Sequence, residues 1–380
     1  MDFSGKSKLL VVDDSAFMRK LISDFFVGNS KVEVVGTARN GKDAIMKIQK
    51  LKPDVVTMDI EMPELNGLDA LNEIMLICPV PVVMLSSTTQ LGAENALMAI
   101  EYGAVDFVTK PSGTISLDLH KIRDELVRKV EQAALVPIAK LKRPSGNKQQ
   151  ESRLMINNAK KESFKNSRLS SPTIPTALAR KERNDWSRVS KKVVVIGTST
   201  GGPRALQTVI TKIPKNIQAP ILIVQHMPAG FTKSLAARLD QLSEITVKEA
   251  EQGDILQNGV AYIAPGGYHL KLKKVGTSFG IVLDNQELPR LGHRPSVDVM
   301  FEDVSKFNEF DKIAVIMTGM GYDGSKGLKV LKSTGNVIAI AESAETCIVY
   351  GMPKAAVETQ LVDEIADVDD IAQIIMKYLP

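Results

Sequence analysis

Short apolar runs alternate with amphipathic stretches along the first third of the chain. The runs are four to seven residues long, and each is followed by a stretch whose apolar residues recur every three or four positions. Such runs predict buried strands, and such stretches predict helices. Five strands that alternate with helices indicate a doubly wound parallel sheet, hence an α/β domain. The predicted strands are 9–12, 32–38, 55–58, 81–85 and 104–108, and the helices are 16–26, 41–49, 68–77 and 94–102.

The last half of the chain repeats this alternation and predicts a second α/β domain, again doubly wound and mainly parallel. A hairpin is expected over 270–283, with its turn near Val275-Gly276. No period of 20–50 residues indicates a repeat protein. The predicted strands here are 193–196, 221–225, 261–264, 313–317 and 336–341, and the helices are 203–213, 232–241, 297–307, 324–333 and 369–379.

The segment between the two domains has a different composition. Residues 126–188 are rich in Lys, Arg, Ser, Asn and Gln, which predicts a flexible tether, with the preceding helix running to about Ala134. The predicted division is therefore 1–125, 126–188 and 189–380. Trp186, the single tryptophan, is expected to pack on the second domain.

Charge is distributed unevenly along the chain. Residues 140–192 contain 15 Lys or Arg and 4 Asp or Glu, a local net charge of +11, whereas the whole chain has +4 and the remainder therefore −7. Because the basic excess lies in the tether, it does not indicate a nucleic-acid-binding domain. The segment could contact a receptor, an acidic partner domain or nothing.

Bulk composition is that of a globular protein, with 44% hydrophobic and 24% charged residues. No apolar run approaches the ~20 residues that span a bilayer, and no secretory signal is visible at the N-terminus. Cys78 and Cys347 lie in separate halves of the chain and are expected to be small core residues rather than a disulfide or a metal site. A cytoplasmic location is therefore expected, without insertion into a membrane.

Polar residues stand at the ends of the strands in the first domain. In an open parallel sheet these ends meet at one edge, where ligands bind. Three carboxylates placed together require a cation, and a hard ion such as Mg²⁺ takes carboxylates and a backbone carbonyl. A pair such as Asp13-Asp14 taken alone more often caps a helix, but the full set makes that reading improbable. The residues concerned are Asp13, Asp14, Asp59, Ser86 and Lys110.

This set supports phosphoryl chemistry. Asp59 is the candidate nucleophile that would form an aspartyl phosphate, with the backbone carbonyl of Glu61 as a further metal ligand. Lys110 could neutralise a phosphoryl oxygen, and the Ser86 hydroxyl could hydrogen bond to it.

Residues 7–125 resemble a response-regulator receiver domain, of the flavodoxin-like (βα)5 fold. The matching motifs are Val-Asp-Asp-Ser, Met-Asp-Ile-Glu-Met-Pro, Leu-Ser-Ser and Val-Thr-Lys-Pro. The resemblance implies Mg²⁺-dependent phosphotransfer from a histidine kinase to Asp59. It also implies a switch through Ser86 and the aromatic Phe107, which has no hydroxyl.

A serine stands on a strand-to-helix turn in the second domain. Gly197-Thr198-Ser199-Thr200-Gly201 fits Gly-x-Ser-x-Gly after an apolar strand, and Pro203 suits the first turn of a helix. Such a turn can expose a nucleophile, but it can also bind a phosphate or be only a turn. It lacks the lysine of a P-loop and the Gly-x-Gly-x-x-Gly spacing.

A serine nucleophile needs a base and an orienting acid. His226 follows a buried strand at the same sheet edge and is the best candidate base, whereas His120 is expected to be exposed. Roles in structure or substrate contact remain open for His269 and His293. Asp323, on the Gly-rich loop after the strand 313–317, is the candidate acid. Its rivals, both within a predicted helix and expected to be surface charges, are Asp298 and Asp303.

Residues 192–357 resemble the catalytic domain of the CheB chemotaxis methylesterases. The order Ser, His, Asp differs from that of the usual α/β-hydrolases. The resemblance implies a triad of Ser199, His226 and Asp323, with the backbone of Met320 as an oxyanion donor. The matching segments are Ile-Gly-Thr-Ser-Thr-Gly-Gly, Val-Gln-His-Met-Pro, Tyr-Ile-Ala-Pro-Gly, His-Arg-Pro-Ser-Val-Asp, Met-Thr-Gly-Met-Gly-Tyr-Asp-Gly and Tyr-Gly-Met-Pro.

Two residues depart from the family pattern: Thr198 stands where alanine is expected, and Tyr322 where asparagine is expected, beside the acid at the pocket rim. The resemblance implies hydrolysis of glutamate methyl esters on chemotaxis receptors and deamidation of receptor glutamines, with no cofactor for the esterase reaction. It also implies that the unphosphorylated receiver covers the active site. The tether is longer than expected for the family.

Two other functions remain possible at this point. The second domain could be a non-catalytic output module that binds partners under control of the phosphate. A DNA-binding response regulator is disfavoured, because no helix-turn-helix pattern with basic recognition positions follows residue 189. The expected partners are a histidine kinase and methyl-accepting receptors, without nucleic acid.

Overall fold

The computed structural model of the protein describes residues 5–110, 116–141 and 190–379. Two parallel sheets organise the described chain, one in each predicted domain. Each sheet has helices on its faces, so the predicted α/β class is confirmed for both units.

The first unit is a five-stranded parallel sheet with the strand order β2-β1-β3-β4-β5. This order confirms the flavodoxin-like (βα)5 arrangement. Strands β3 and β4 are buried along their whole length, as expected of strands covered on both faces. The strands are β1 (Ser7–Val12), β2 (Val32–Ala38), β3 (Val55–Asp59), β4 (Val82–Ser86) and β5 (Asp106–Thr109), and the helices are α1 (Ala16–Phe25), α2 (Gly41–Leu51), α3 (Gly67–Ile77), α4 (Gln90–Tyr102) and α5 (Ser116–Ala133).

Polar side chains fix where four of these helices begin. Each side chain accepts a hydrogen bond from a backbone N–H in the first turn, which would otherwise lack a partner. The capping residues are Ser15, Asn40, Asn66 and Thr89. Helix α3 starts directly against the end of β3, since a Cβ at Gly67 would lie 2.0 Å from the carbonyl oxygen of Asp59.

The second unit is a seven-stranded parallel sheet with the strand order β14-β13-β12-β6-β7-β9-β8. Strands β10 (His269–Val275) and β11 (Ser278–Asp284) form a separate antiparallel hairpin, which confirms the predicted one. The sheet strands are β6 (Lys191–Thr198), β7 (Ile221–Gln225), β8 (Thr246–Glu249), β9 (Val260–Ile263), β12 (Phe310–Ile316), β13 (Val337–Glu342) and β14 (Glu364–Ala366). The helices are α6 (Gly202–Ile210), α7 (Phe231–Leu242), α8 (Val297–Val304), α9 (Ser325–Ser333), α10 (Met352–Glu358) and α11 (Val368–Lys377).

Three short elements of this unit were not predicted, namely β8, β14 and α10. Val247 is the only buried residue of β8, and Ala366 the only one of β14, so neither strand presents an apolar run. Both lie at the edges of the sheet. Helix α10 has seven residues, too few to display a helical period.

Ordered structure extends past the predicted domain boundary at residue 125. Helix α5 continues to Ala133, and a 3-10 turn follows at Ile138–Lys140. The side chains of Leu126, Val136 and Leu141 are buried in a hydrophobic cluster that consists mostly of first-unit residues and also includes Val349 of the second unit. Helix α5 therefore ends close to the predicted position near Ala134, and the packed residues 134–141 lie in the segment that was predicted to be a flexible tether. The rest of that tether, including Trp186, lies outside the described residues.

The two units share an interface formed by α4, β5 and α5 on one side and by α6 and α7 on the other. The rings of Phe107 and Phe231 stack with centroids 4.8 Å apart and planes 11° apart. The Arg238 guanidinium donates to both carboxylate oxygens of Glu101, from Nε at 2.8 Å and from Nη2 at 3.1 Å. This face of the first unit therefore packs directly on the second.

Two remaining sequence predictions concern the cysteines and the membrane. Cys347 is buried and Cys78 half-buried, and both are free thiols. Within the described ranges, no helix has the length and apolar character to cross a bilayer.

Replacing Leu141 with Ala tests the packing of the segment beyond residue 125. Leu141 is 2% exposed, so the Leu141→Ala variant should lose about 2–5 kcal/mol of unfolding free energy in the first unit. Leu135 is 70% exposed and is the matched control, with an expected loss below about 0.5 kcal/mol. Calorimetry of the full chain measures both, and equal transition temperatures for the two variants would contradict the packing.

Candidate functional site

Carboxylates converge at the carboxyl edge of the first sheet, as predicted. Oxygens of Asp13, Asp14 and Asp59 lie within 4.8 Å of one another, with Asp13 and Asp59 buried and Asp14 exposed. The Lys110 ammonium lies 3.0 Å from Asp13 Oδ2 and 2.8 Å from Asp59 Oδ2. One ammonium cannot balance three carboxylates, so the cluster retains negative charge. This oxygen donor set fits a hard divalent cation such as Mg²⁺.

Burial dominates the electrostatics of the candidate phosphorylation site. It raises the pKa of Asp59 to about 6, opposed by Lys110 and reinforced by the negative charge of Asp13. Burial alone would lower the pKa of Lys110, but the two carboxylates raise it. The N–H of Glu61 hydrogen bonds to the Asp59 carboxylate. Additional positive charge would therefore favour the ionised form of Asp59.

The two predicted switch residues make their contacts with residues outside the acid cluster. The buried Ser86 hydroxyl donates to the Gly92 carbonyl at 2.7 Å. Phe107 stacks on Phe231 of the second unit, and the Lys129 ammonium donates to the Phe107 carbonyl at 2.7 Å. One switch residue is therefore part of the interface between the units.

Ser199 lies in the tight turn between β6 and α6. Gly201 has a φ of +78°, which glycine adopts without strain, and Pro203 stands in the first turn of α6. The Ser199 N–H donates to the Thr318 carbonyl at 3.0 Å. A Cβ at Gly319 would lie 2.8 Å from the Ser199 Cβ, so this loop must approach the serine without a side chain.

His226 and Asp323 meet at the same edge of the sheet. The Nε2 atom of His226 lies 2.8 Å from Asp323 Oδ2. Because an ionised carboxylate only accepts hydrogen bonds, Nε2 carries the proton and Nδ1 has the lone pair. Nδ1 is buried without a hydrogen-bond partner. The imidazole is therefore held in the tautomer that a general base requires at Nδ1.

The N-terminus of α8 holds the Asp323 carboxylate in place. The carboxylate accepts hydrogen bonds from the Val297 N–H at 2.7 Å, the Asp298 N–H at 2.9 Å and the Ser296 hydroxyl at 2.9 Å. Burial would raise the pKa of Asp323, but the hydrogen bonds from His226 and these N–H groups hold it well below its usual range. Asp323 is therefore a fixed negative charge beneath the imidazole.

Asp298 and Asp303 are buried, which corrects the prediction that they are surface charges. Asp298 Oδ1 accepts from the N–H groups of Gly324 at 2.9 Å and Gly327 at 2.7 Å. Asp303 accepts from the Leu272 N–H at 2.7 Å. Neither contacts His226, so Asp298 braces the loop that carries the acid, and Asp303 anchors the hairpin.

Thr198, the first departure from the family pattern, is buried and has a hydrogen-bonding role. Its hydroxyl donates to the side-chain oxygen of Gln225. The Gln225 amide in turn donates to the carbonyls of Ser199 at 3.0 Å and His226 at 3.2 Å. Gln225 was not predicted, although a polar residue at the end of an apolar strand is a signal that could have identified it.

Tyr322, the second departure, is 47% exposed, and the Lys326 ammonium lies 5.8 Å from its ring centroid. It is not among the residues that line a cavity of about 230 Å³ beside Ser199. Met320, two residues earlier, does line the cavity. In the described part of the chain its N–H makes no hydrogen bond, so this donor is available for an oxyanion.

The other histidines occupy different surroundings. His269 is buried in the hairpin, where its Nε2 lies 3.2 Å from the Leu288 carbonyl. His293 stacks on His226, with ring centroids 3.9 Å apart and planes 5° apart. The side chain of His120 lies outside the described residues.

A cavity of about 230 Å³ joins these groups to the first unit. The second unit contributes Ser199, His226, His293 and Met320, and helix α5 of the first unit contributes Glu125, Arg128 and Lys129. The first unit therefore covers the candidate serine site.

Replacing Asp298 with Asn should remove part of the pH dependence of stability. Burial raises the pKa of Asp298, and the charge of Asp323 acts in the same direction. Its stabilising contribution is therefore present below the unfolded pKa of about 4 and is lost as pH rises through the native pKa. Asn keeps the accepting oxygen and carries no charge. Calorimetry between about pH 4 and pH 8 should show that the free energy of unfolding falls less with rising pH for the Asp298→Asn variant than for wild type. Equal losses would contradict this prediction.

Comparison with known proteins assigns each of the two units to a protein family. The response regulator receiver domain family matches residues 9–120, and the CheB methylesterase family matches residues 194–375. Proteins described as protein-glutamate methylesterase/protein-glutamine glutaminase are 53% identical in Halalkalibacterium halodurans, over 98% of both chains, and 50% identical in Bacillus subtilis, over 96% of both chains. The crystal structure of the Thermotoga maritima CheB methylesterase catalytic domain is 46% identical, covers 50% of this chain and 99% of that chain, and has a TM-score of 0.48. The chain belongs to the CheB family of protein-glutamate methylesterases/protein-glutamine glutaminases, which combine this catalytic domain with a response-regulator receiver.

Proposed function

We propose that Ser199, His226 and Asp323 carry out the methylesterase and glutaminase reactions of this enzyme on chemotaxis receptors, and that phosphorylation of Asp59 controls access to them. The observation that carries the catalytic part is the His226–Asp323 hydrogen bond of 2.8 Å, which leaves Nδ1 without a partner on a residue that lines the same cavity as Ser199. The remaining steps follow from ordinary acyl-transfer chemistry.

The reaction begins when the Ser199 hydroxyl oxygen attacks the ester carbonyl of a methylated glutamate. His226 Nδ1 takes the hydroxyl proton, and Asp323 stabilises the imidazolium that results. The Met320 N–H would donate to the oxyanion of the tetrahedral intermediate. Within the described residues no hydrogen bond joins the Ser199 hydroxyl to His226, and such bonds often form only when substrate is bound.

Collapse of the intermediate releases methanol, with the proton returned by His226, and leaves an acyl-enzyme on Ser199. A water molecule, deprotonated by His226, then cleaves the acyl bond to give the glutamate carboxylate and the free serine. A glutamine side chain enters the same sequence with ammonia as the leaving group. Apart from the water that is consumed, these steps use only the protein's own side chains and backbone.

The receiver supplies the control. A Mg²⁺ ion held by Asp13, Asp14, Asp59 and the Glu61 carbonyl would offset the charge of a phosphoryl group on Asp59. The phosphoryl group would come from a histidine kinase, with Lys110 and the Ser86 hydroxyl as its partners. Ser86 would have to leave the Gly92 carbonyl, and this movement would be transmitted to Phe107 in the interface.

Movement at Phe107 would weaken the packing between the two units beside the cavity. Asp106, its neighbour, accepts a hydrogen bond from the hydroxyl of Thr200, the residue after the nucleophile. Lys129 pairs with Asp106 at 3.1 Å and also lines the cavity. Phosphorylation would therefore shift the balance between a covered and an open form by acting on these contacts.

Methanol release from methylated receptor membranes tests the catalytic assignment. The Ser199→Ala variant should lose at least about a thousandfold in rate, because no other group can form the acyl-enzyme. Ser333, an exposed residue at the end of α9, provides the matched Ser333→Ala control, which should retain the full rate. The Asp59→Asn variant should keep its basal rate but lose stimulation by a phosphodonor with Mg²⁺. A Ser199→Ala variant with substantial turnover would contradict the assignment.

A charge exchange across the interface tests the control by the receiver. Glu101→Arg or Arg238→Glu alone places like charges opposite each other and should raise the basal rate about two- to fivefold. The double variant, with both charges exchanged, should return towards the wild-type basal rate. Glu33→Gln, on the distant edge strand β2, is the control. Single variants with an unchanged basal rate, or a double variant no better than the singles, would contradict a covering role for this interface.

A further inference from the structure

The most notable unassigned group in the catalytic cavity is the imidazole of His293. It lies flat against the imidazole of His226, with centroids 3.9 Å apart and planes 5° apart. Both rings line the cavity that contains Ser199. His293 therefore covers one face of the base without contacting the reacting atoms through a hydrogen bond.

The backbone around His293 is held firmly. Its N–H donates to the Arg290 carbonyl at 2.9 Å, and its carbonyl accepts from the Arg290 N–H at 3.0 Å. The two residues between them, Leu291 and Gly292, both have positive φ, at 54° and 83°, which closes a tight turn. The next residue, Arg294, donates from Nη1 to the carbonyls of Asn285 at 2.7 Å and of Glu287 at 3.1 Å.

The same stretch of chain also holds the acid of the triad. Ser296, three residues after His293, donates to Asp323, and the N–H groups of Val297 and Asp298 do the same. Residues 293–298 therefore contact the base through the stacked ring and the acid through the N-terminus of α8. Displacement of this segment would disturb both partners of Ser199 together.

We propose that His293 is a positioning residue for the catalytic base, one whose flat ring keeps the His226 imidazole in the plane that joins Nε2 to Asp323 and leaves Nδ1 facing the cavity. This inference rests on the proposed function. Without the covering ring, His226 can tilt about its side-chain torsions and water can reach its open face. Both changes reduce the fraction of enzyme in which Nδ1 is aligned with the Ser199 hydroxyl.

Electrostatics favour a neutral His293 over a titrating one. Burial lowers the pKa of His293 to about 3. A proton on His226 would lower it further, the charges of Arg128 and Lys129 act in the same direction, and Asp323 opposes them. The lowered pKa favours the uncharged ring, which fits a positioning role better than a role as a second proton donor. A neutral aromatic face is also compatible with the imidazolium that forms on His226 during the reaction.

Variants of the full-length protein test this role, assayed by methanol release from methylated receptor membranes after activation with a phosphodonor and Mg²⁺. The His293→Ala variant should lose about ten- to a hundredfold in kcat, with KM changed less than about twofold, because alignment rather than binding is affected. The His293→Phe variant keeps a flat ring and should retain kcat within about threefold of wild type, with an unchanged pH profile.

Controls separate this role from a general structural effect. Leu288, 80% exposed on the same loop, gives the Leu288→Ala control, which should match wild type. If His293→Ala does not fold, as judged by its thermal transition, His293→Gln takes its place and should show the same loss of kcat. A wild-type kcat in a variant without the ring, or a folded His293→Phe as inactive as His293→Ala, would overturn the positioning role. A wild-type enzyme that releases no methanol contradicts the proposed function instead.

Discussion

A buried negative charge held against the start of helix α8 is the feature on which the proposed catalytic site depends. The carboxylate of Asp323 is 1% exposed, and a charge so far from water must be compensated within the protein. His226 is the first partner to provide that compensation, and two backbone N–H groups of α8, the Gly324 N–H and the hydroxyl of Ser296 add to it. Because the helix N-terminus is also the positive end of its dipole, the carboxylate stays ionised and fixes the imidazole tautomer.

The buried carboxylates of the receiver are compensated in a different way from Asp323. Its carboxylates at Asp13 and Asp59 share the single ammonium of Lys110, so the cluster keeps a net negative charge. That charge can attract a cation, and the cation can in turn offset the charge of a phosphoryl group. The Asp323 carboxylate has hydrogen-bond donors for both of its oxygens, whereas the receiver's cluster is left incompletely compensated. This difference suits a fixed catalytic site on one side of the interface and a switch on the other.

Much of the fold and of the site could be predicted because both depend on local patterns. Fully buried parallel strands appear as apolar runs, and residues that follow those runs meet at one sheet edge, which brings Ser199, His226 and Asp323 together. Short edge elements such as β8 and β14 were missed, because they bury one residue each. The burial of Asp298 and the role of Gln225 were also missed, since each depends on partners distant in the chain.

The sequence by itself determined the two α/β units, their chemistry and the residue types available at each strand end. Tertiary structure alone decided how those groups are oriented: which nitrogen of His226 faces Asp323, that His293 stacks on His226, and that helix α5 of the receiver lines the cavity. The physical reason is the distance along the chain between the residues that interact. Strand and helix periodicity and capping act between residues a few positions apart, whereas the desolvation and stacking that set these orientations depend on atoms brought together only by packing.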